Sequence, residues 1–283
     1  MARQIDGPLG LVVHPKRDID RALSAIQKWA DGHGLQVGQV EVDGNDRHVA
    51  EPIDAGDCAL IVAVGGDGTA LAALHAGAES NKPVLGVACG SIGALTAVHA
   101  DDVEHALGQM ADGDWEPQDL PALDVSGQRC AINDLAAVRN GDGQLVTSIS
   151  IDGELYARVA GDGVIVSTPL GSSAYTLAAG GPLLTPTCKN FAITPLAAHA
   201  GSVPPIVASE HNELTLEIQP GFGGARLETD GRGRGTCPTT LTIGFHPDYA
   251  TLVTLDGGES MIAGLRRRSV IEDGPRAKLR SER

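Results

Sequence analysis

Aromatic side chains are scarce in this chain, with three Phe, three Tyr and two Trp among 283 residues. A core without rings must rest on Val, Leu, Ile and Ala, and the hydrophobic fraction of 42% is enough to build one of ordinary size. Basic residues are few, 21 Lys and Arg against 36 Asp and Glu, for a formal net charge of −15. A surface this acidic repels a phosphate backbone, so nucleic acid is not expected as a partner. Phosphate binding stays open, because backbone N–H groups hold an anion without net positive charge. No apolar run reaches membrane-spanning length, and Met1-Ala2-Arg3-Gln4-Ile5-Asp6 has no hydrophobic signal core. A soluble, cytoplasmic protein without a membrane partner is expected.

The five cysteines, at 58, 89, 130, 188 and 237, form no Cys-x-x-Cys pair, which points to reduced thiols rather than a disulfide framework. Nine histidines are scattered with no His-x-x-x-His pair, so no residue is assigned as a metal ligand. A Walker A pattern, a Gly-x-Gly-x-x-Gly opening a helix and a Gly-x-Ser-x-Gly elbow are all missing. Glycine, in contrast, is abundant at 37 residues, as expected of many tight turns and close backbone approaches.

The first third alternates strand-like and helix-like patterns. Leu9 to His14 is a short apolar run, and from Asp18 the residues Ile19, Ala22, Leu23, Ile26, Trp29 and Ala30 fall at helical spacing, ended by Gly32 and Gly34. Val37 to Val42, Cys58 to Val64 and Pro83 to Ala88 read as further strands, with helices from Thr69 to about Ala78 and from Asp102 to Met110. Such alternation predicts a doubly wound α/β domain, placed at residues 1–115. After Asp112-Gly113-Asp114-Trp115 the chain becomes short β-rich runs punctuated by Gly and Pro: Ala122–Val125, Ala131–Val138, Leu145–Ile151, Val164–Ser167, Leu214–Ile218 and Thr240–Ile243. These predict an all-β, sandwich-like domain over 116–250. A C-terminal segment, 251–283, is expected to pack back on the first domain and to end in a charged tail.

Two stretches carry chemistry. In Val62-Ala63-Val64-Gly65-Gly66-Asp67-Gly68-Thr69 a buried strand turns into a helix through three glycines. Missing side chains let backbone N–H groups approach an anion, and the helix directs its positive end at the same point. An Asp there opposes phosphate unless it has its own task, either sharing a divalent cation with the phosphate or accepting a proton from an attacking hydroxyl. An ordinary Gly-Asp-Gly turn fits the segment equally well. The second stretch, Gly161-Asp162-Gly163-Val164-Ile165-Val166-Ser167-Thr168-Pro169-Leu170-Gly171-Ser172-Ser173-Ala174-Tyr175, places hydroxyls, glycines and a Tyr after a strand. Hydroxyls there can reach ribose or phosphate oxygens and the Tyr ring can stack on a base, or the whole can be a solvated turn.

Together the two stretches resemble the NAD kinase family, in its Gly-Gly-Asp-Gly-Thr motif and its Asp-Gly-x-Ile-x-x-Thr-Pro-x-Gly-Ser-x-Ala-Tyr segment followed by Ala-Gly-Gly-Pro. Gly86 to Gly93 is similar to the family's second glycine segment, and Asn133-Asp134 to its Asn-Glu pair. Thr194-Pro195-Leu196 with His199, and Asp230-Gly231-Arg232 where the family has Asp-Gly-Gln, complete the order. The resemblance implies an α/β domain followed by a β-rich one, with substrate between them, and homodimers or homotetramers. It implies phosphoryl transfer from ATP, or polyphosphate, to the 2′-hydroxyl of the adenosine ribose of NAD, giving NADP, with Mg²⁺ or another divalent cation. It makes Asp67 the general base, with Gly68 against the dinucleotide and Gly65, Gly66 and Thr69 around the donor phosphates and cation. Asn133, Asp134, Asp162, Ser173, Ala174, Tyr175, Thr176, Leu177, Ala178 and Arg232 would line the dinucleotide site.

The chain departs from the family pattern at Ala88, Asp134, Leu170, Leu120, Pro204 and Arg232. The glycine loop is intact while the acceptor side has drifted. Phosphorylation of another hydroxyl compound (a sugar, cyclitol, nucleoside or lipid) and dinucleotide binding without catalysis are therefore also carried forward.

Overall fold

The computed structural model describes residues 5–127, 129–199, 202–255 and 259–274. The chain divides into two compact units, Met1–Gln118 with Ala250–Arg283, and Asp119–Tyr249.

The first unit opens with strand β1 (Leu9–Val13), helix α1 (Asp20–His33), β2 (Val37–Gln39), β3 (Leu60–Gly65), α2 (Asp67–Ala78), β4 (Pro83–Ala88), β5 (Val98–His99) and α3 (Val103–Asp112). Its strands run parallel in the order β2-β1-β3-β4. Both faces are covered, which is why the strands read as continuous apolar runs. Leu60, Val62 and Val64 of β3 join one core with Ala22, Ile26 and Trp29 of α1 and Val103, Leu107 and Met110 of α3. On the opposite face Gly77 of α2 lies close enough that a Cβ there would stand 3.1 Å from Val84 and 3.5 Å from Ile61. Short side chains around α2 (Ala70, Ala72, Ala73) let it sit this close to the sheet. α1 ends where the sequence expects, at Gly34 in the left-handed conformation (φ 68°).

The second unit is built from β6 (Trp115–Val125), β7 (Arg129–Ala131), β8 (Asp134–Arg139), β9 (Leu145–Ile151), β10 (Glu154–Gly161), β11 (Gly163–Ser167), the short helix α4 (Tyr175–Ala178), β12 (Asn190–Leu196), β13 (Ile206–Ser209), β14 (Leu214–Gln219), β15 (Ala225–Thr229), β16 (Arg232–Thr236) and β17 (Thr240–Leu255). β13-β12-β11-β8-β15-β16 make one antiparallel sheet. β10, β9, β14 and the start of β17 make the facing layer. Leu135, Ala137, Val164, Val166, Phe191 and Ile193 from the first layer pack against Ile149, Leu214, Leu216, Leu241 and Ile243 from the second, which is the core of a sandwich.

The chain then returns to the first unit. Thr251 and Leu252 of β17 pair in parallel with Pro83 and Val84 of β4, and helix α5 (Met261–Arg267) follows. No helix among the described residues is long and apolar enough to cross a membrane, and the five cysteines are all unbonded to one another.

Candidate active site

In the first unit the strand order reverses beside β1: the chain goes from β1 out to β2, then returns to β3 on the other side. Open α/β sheets form a crevice at such a point, outside the carboxyl ends of the strands. Here those ends are His14 to Arg17 after β1 and Gly65 to Asp67 after β3.

The loop after β3 has little room for side chains. A Cβ at Gly65 would stand 2.4 Å from Thr69 Oγ1 and 2.9 Å from His14 Cβ. Gly66 is the extended residue before α2, and both Thr69 N–H (2.9 Å) and Ala70 N–H (3.0 Å) donate to its carbonyl. The N–H groups of Asp67 and Gly68, in the first turn, have no intrahelical acceptor. Gly68 is exposed and Thr69 buried. Of the residues assigned to this loop, Asp67 has the most defined surroundings. Its Oδ2 accepts from Ala94 N–H at 2.8 Å and its Oδ1 from Leu95 N–H at 3.0 Å. Thr96 Oγ1 lies 3.5 Å from Oδ1 and accepts from Gly93 N–H at 2.8 Å. Gly93 must be glycine for this contact, since a Cβ there would fall 2.0 Å from Asp67 Oδ1. The carboxylate is thus fixed in direction at both oxygens, Oδ1 taking the Leu95 N–H and the Thr96 hydroxyl, and Oδ2 keeps a further lone pair for a substrate hydroxyl.

Sequence reasoning missed the turn that faces this loop from β1. His14 Nδ1 accepts from Lys16 N–H (3.1 Å) and Arg17 N–H (3.0 Å), which makes it an unprotonated nitrogen. Burial, then the charges of Arg17 and Arg47, hold the His14 pKa below its ordinary value. Arg47 donates to the carbonyls of His14 (3.2 Å) and Arg17 (2.6 Å), and Asn45 Nδ2 to that of Val13 (2.6 Å). The available signal was a cation directly after a buried parallel strand.

In the second unit Asn133 and Asp134 enter β8, and Asp162 precedes β11, which runs antiparallel to it. Asp134 pairs with Ser167 and Val138 with Gly163. Asp134 and Asp162 therefore mark opposite ends of the same strand pair, about 15 Å apart at the usual rise. The Asp230 carboxylate fixes the first end, accepting from the N–H groups of Ile132 (3.2 Å), Asn133 (2.7 Å) and Asp134 (3.3 Å). Thr168 Oγ1 donates to Ile132 O at 2.6 Å, and a Cβ at Gly171 would stand 2.0 Å from Asn133 O. At the other end a cavity of about 360 Å³ is lined by Arg139, Asp162, Tyr175, Leu196, Ala197 and Arg226. Arg139 Nε donates to Asp162 Oδ1 at 2.7 Å. Tyr175, 38% exposed, presents its ring there.

The structure brings Asp162 and Tyr175 to one cavity. It uses several of the expected hydroxyls internally instead. Thr176 is fully buried and donates to Ser167 Oγ at 2.8 Å. Ser173 Oγ donates to Leu170 O at 3.0 Å. Ser172 Oγ donates to Pro169 O and accepts from Leu184 N–H. Leu177 is half-buried, Ala174 and Ala178 are exposed, and Arg232 is exposed at the start of β16.

Asp134 is 6% exposed, and burial above all, then the nearby carboxylates of Asp230 and Glu228, pushes its pKa up to about 7. The folded protein therefore prefers the neutral acid. Its stability is undiminished below the unfolded carboxylate pKa and is lost as pH rises through about 7. Asp134→Asn, which carries no charge, is expected to gain on the wild type between pH 4 and 8, by on the order of 2–4 kcal/mol at pH 8. Urea unfolding of both proteins at pH 5 and pH 8 checks this. A difference independent of pH contradicts a buried neutral Asp134.

Known proteins share this organisation. Residues 10–115 match the ATP-NAD kinase N-terminal domain and residues 133–272 the ATP-NAD kinase C-terminal domain. The NAD kinase of Pseudomonas paraeruginosa is 33% identical over 252 residues, 83% of this chain and 82% of that protein. The Azotobacter vinelandii NAD kinase is 34% identical over 240 residues, 81% of this chain and 78% of its own. Among solved structures, an Archaeoglobus fulgidus NAD kinase in complex with ATP superposes with a TM-score of 0.72 at 22% identity, covering 88% of this chain and 94% of that one. Yeast NADH kinase complexed with NADH gives 0.78 at 19%, covering 96% and 89%. With both domains matched in order and the glycine loop standing at the switch point of the parallel sheet, the chain belongs to the ATP-NAD kinase family.

Proposed function

We propose that the chain transfers the γ-phosphoryl group of ATP to the 2′-hydroxyl of the adenosine ribose of NAD, giving NADP and ADP. The observation that carries this reading is Asp67: one carboxylate, held by two backbone N–H groups, at the N-terminus of a helix whose first amides are open to phosphate. Phosphoryl transfer asks little covalent chemistry of a protein and depends on positioning and charge neutralisation. As the ribose oxygen attacks phosphorus, its proton passes to Asp67. A P–O bond forms to the 2′-oxygen and the bond between γ-phosphorus and the bridging oxygen breaks, with the electron pair leaving on ADP. The Gly66–Gly68 amides and the α2 dipole stabilise charge on the phosphoryl oxygens.

No three His, Cys, Asp or Glu side chains gather as a metal cage among the described residues. A divalent cation would be carried in by the ATP phosphates and water, the habit of Mg²⁺, with Asp67 the one acidic side chain of the glycine loop. When bound, the cation neutralises phosphate charge. In the second unit, Asp162 and Tyr175 at their cavity and Asn133 with Asp134 are assigned to the dinucleotide.

The test is NADP formation followed with an NADP-specific dehydrogenase, using purified protein, Mg²⁺, ATP and NAD, with other alcohols as competing acceptors. NADP is the expected product. A folded protein that makes none with ATP or polyphosphate, or that consumes ATP faster with another alcohol, overturns the reading.

A further inference from the structure

We propose that Arg17 is a ligand for the donor phosphates, working with the Gly66–Gly68 amides as the cationic half of the phosphate site. This rests on the kinase reading and adds a residue to it.

The guanidinium lies over two glycines from different loops. A Cβ at Gly66 would stand 3.2 Å from Arg17 Nη1, and one at Gly90 would stand 3.3 Å from the same atom. Arg17 therefore spans the mouths of the loops after β3 and after β4, on the side where α2 opens its free amides. These glycines leave the guanidinium and the backbone N–H groups on a shared open surface. Arg17 takes part in none of the ion pairs found among the described residues. Its backbone is held at both polar groups: His14 Nδ1 receives its N–H, and Arg47 Nη1 holds its carbonyl at 2.6 Å. A rigid turn that presents a cation with no carboxylate partner, at the switch point of the sheet, is preorganised for an anionic ligand. Local charge points the same way. Lys16, Arg17 and Arg47 gather at this corner together with Asp18 and Asp20, and Asp20 pairs with Arg47 at 3.6 Å, which leaves Arg17 as the cation over the two glycines. Arginine also offers a fork of donors to phosphate oxygens where lysine offers a point charge.

The experiment measures binding of the non-hydrolysable ATP analogue AMP-PNP with Mg²⁺, and of inorganic tripolyphosphate, to wild type, Arg17→Lys and Arg17→Ala, alongside steady-state kinetics. Arg17→Ala is expected to weaken both ligands by about tenfold or more, and Arg17→Lys by less. Adenosine binding should stay within about twofold of wild type, because it carries no phosphate. KM for ATP should rise while KM for NAD changes little. Unchanged affinity for AMP-PNP and tripolyphosphate in Arg17→Ala overturns the proposal, as does an equal loss for adenosine, which would mark a merely structural residue. The kinase reading fails separately. A wild type that binds AMP-PNP yet forms no NADP removes the NAD assignment and leaves the Arg17 comparison intact.

Discussion

Asp67→Asn is expected to lower kcat for NADP formation by two to four powers of ten, with ATP and NAD still bound. The amide has no basicity to take the ribose proton, so the attacking oxygen must shed it to water. A second effect follows from the hydrogen bonds. An Asn side chain keeps one oxygen, so it can accept from either Ala94 N–H or Leu95 N–H, whereas the aspartate accepts from both. The other amide then meets an NH₂ group, a donor facing a donor, at a cost of about 1–3 kcal/mol if no water intervenes. The 93–96 loop should therefore loosen as catalysis is lost. Rapid-quench turnover, with dinucleotide affinity measured on the same protein, separates the two effects. Loss of NAD affinity in proportion to kcat would mean that Asp67 binds the substrate rather than takes its proton.

Gly93→Ala tests position with the carboxylate retained. The added methyl group would occupy space 2.0–2.3 Å from three atoms of the Asp67 carboxyl group. Either the side chain swings away or the loop retreats, and both outcomes break the pair of amide bonds that aim it. A misplacement of about 1 Å at a reacting group costs on the order of 10²-fold in rate, so kcat is expected to fall by about that factor. Gly93 does not stand in the left-handed region, so the substitution adds no backbone strain and melting temperature should change little beside that loss. Near-wild-type turnover in Gly93→Ala would show that the geometry around Asp67 is tolerant and that the amide pair does not set its role.

The glycine loop was legible because its context is local: an apolar run deep enough for a doubly covered strand, three glycines, then a helix. What holds Asp67 was not. Its partners are backbone N–H groups 27 and 28 residues further along, and such donors carry no residue-type signature. Arg17 was overlooked for a related reason. In sequence it is one member of Lys16-Arg17-Asp18, which matches no motif, and it gains meaning only when β1 and β3 are known to be neighbours. The hydroxyl-rich stretch erred in the opposite direction. Thr176 and Ser172 look available on paper, yet the fold consumes both inside the second unit. Two of the missed strands have different causes: β16, Arg-Gly-Arg-Gly-Thr, has no apolar residue to reveal period two, whereas β12 contains Pro195. Pairing of β16 with β15 and of β12 with β11 supplies what the pattern lacked.

The NAD assignment predicts a regiochemical outcome that phosphorus NMR reads directly. Wild-type protein incubated with ATP, Mg²⁺ and NAD should yield one ADP for each new phosphate monoester, and that monoester should sit on the 2′-oxygen of the adenosine ribose. An NAD analogue lacking that hydroxyl should accept nothing. Phosphate delivered to another position, to the 2′-deoxy analogue, or only to water would contradict the account.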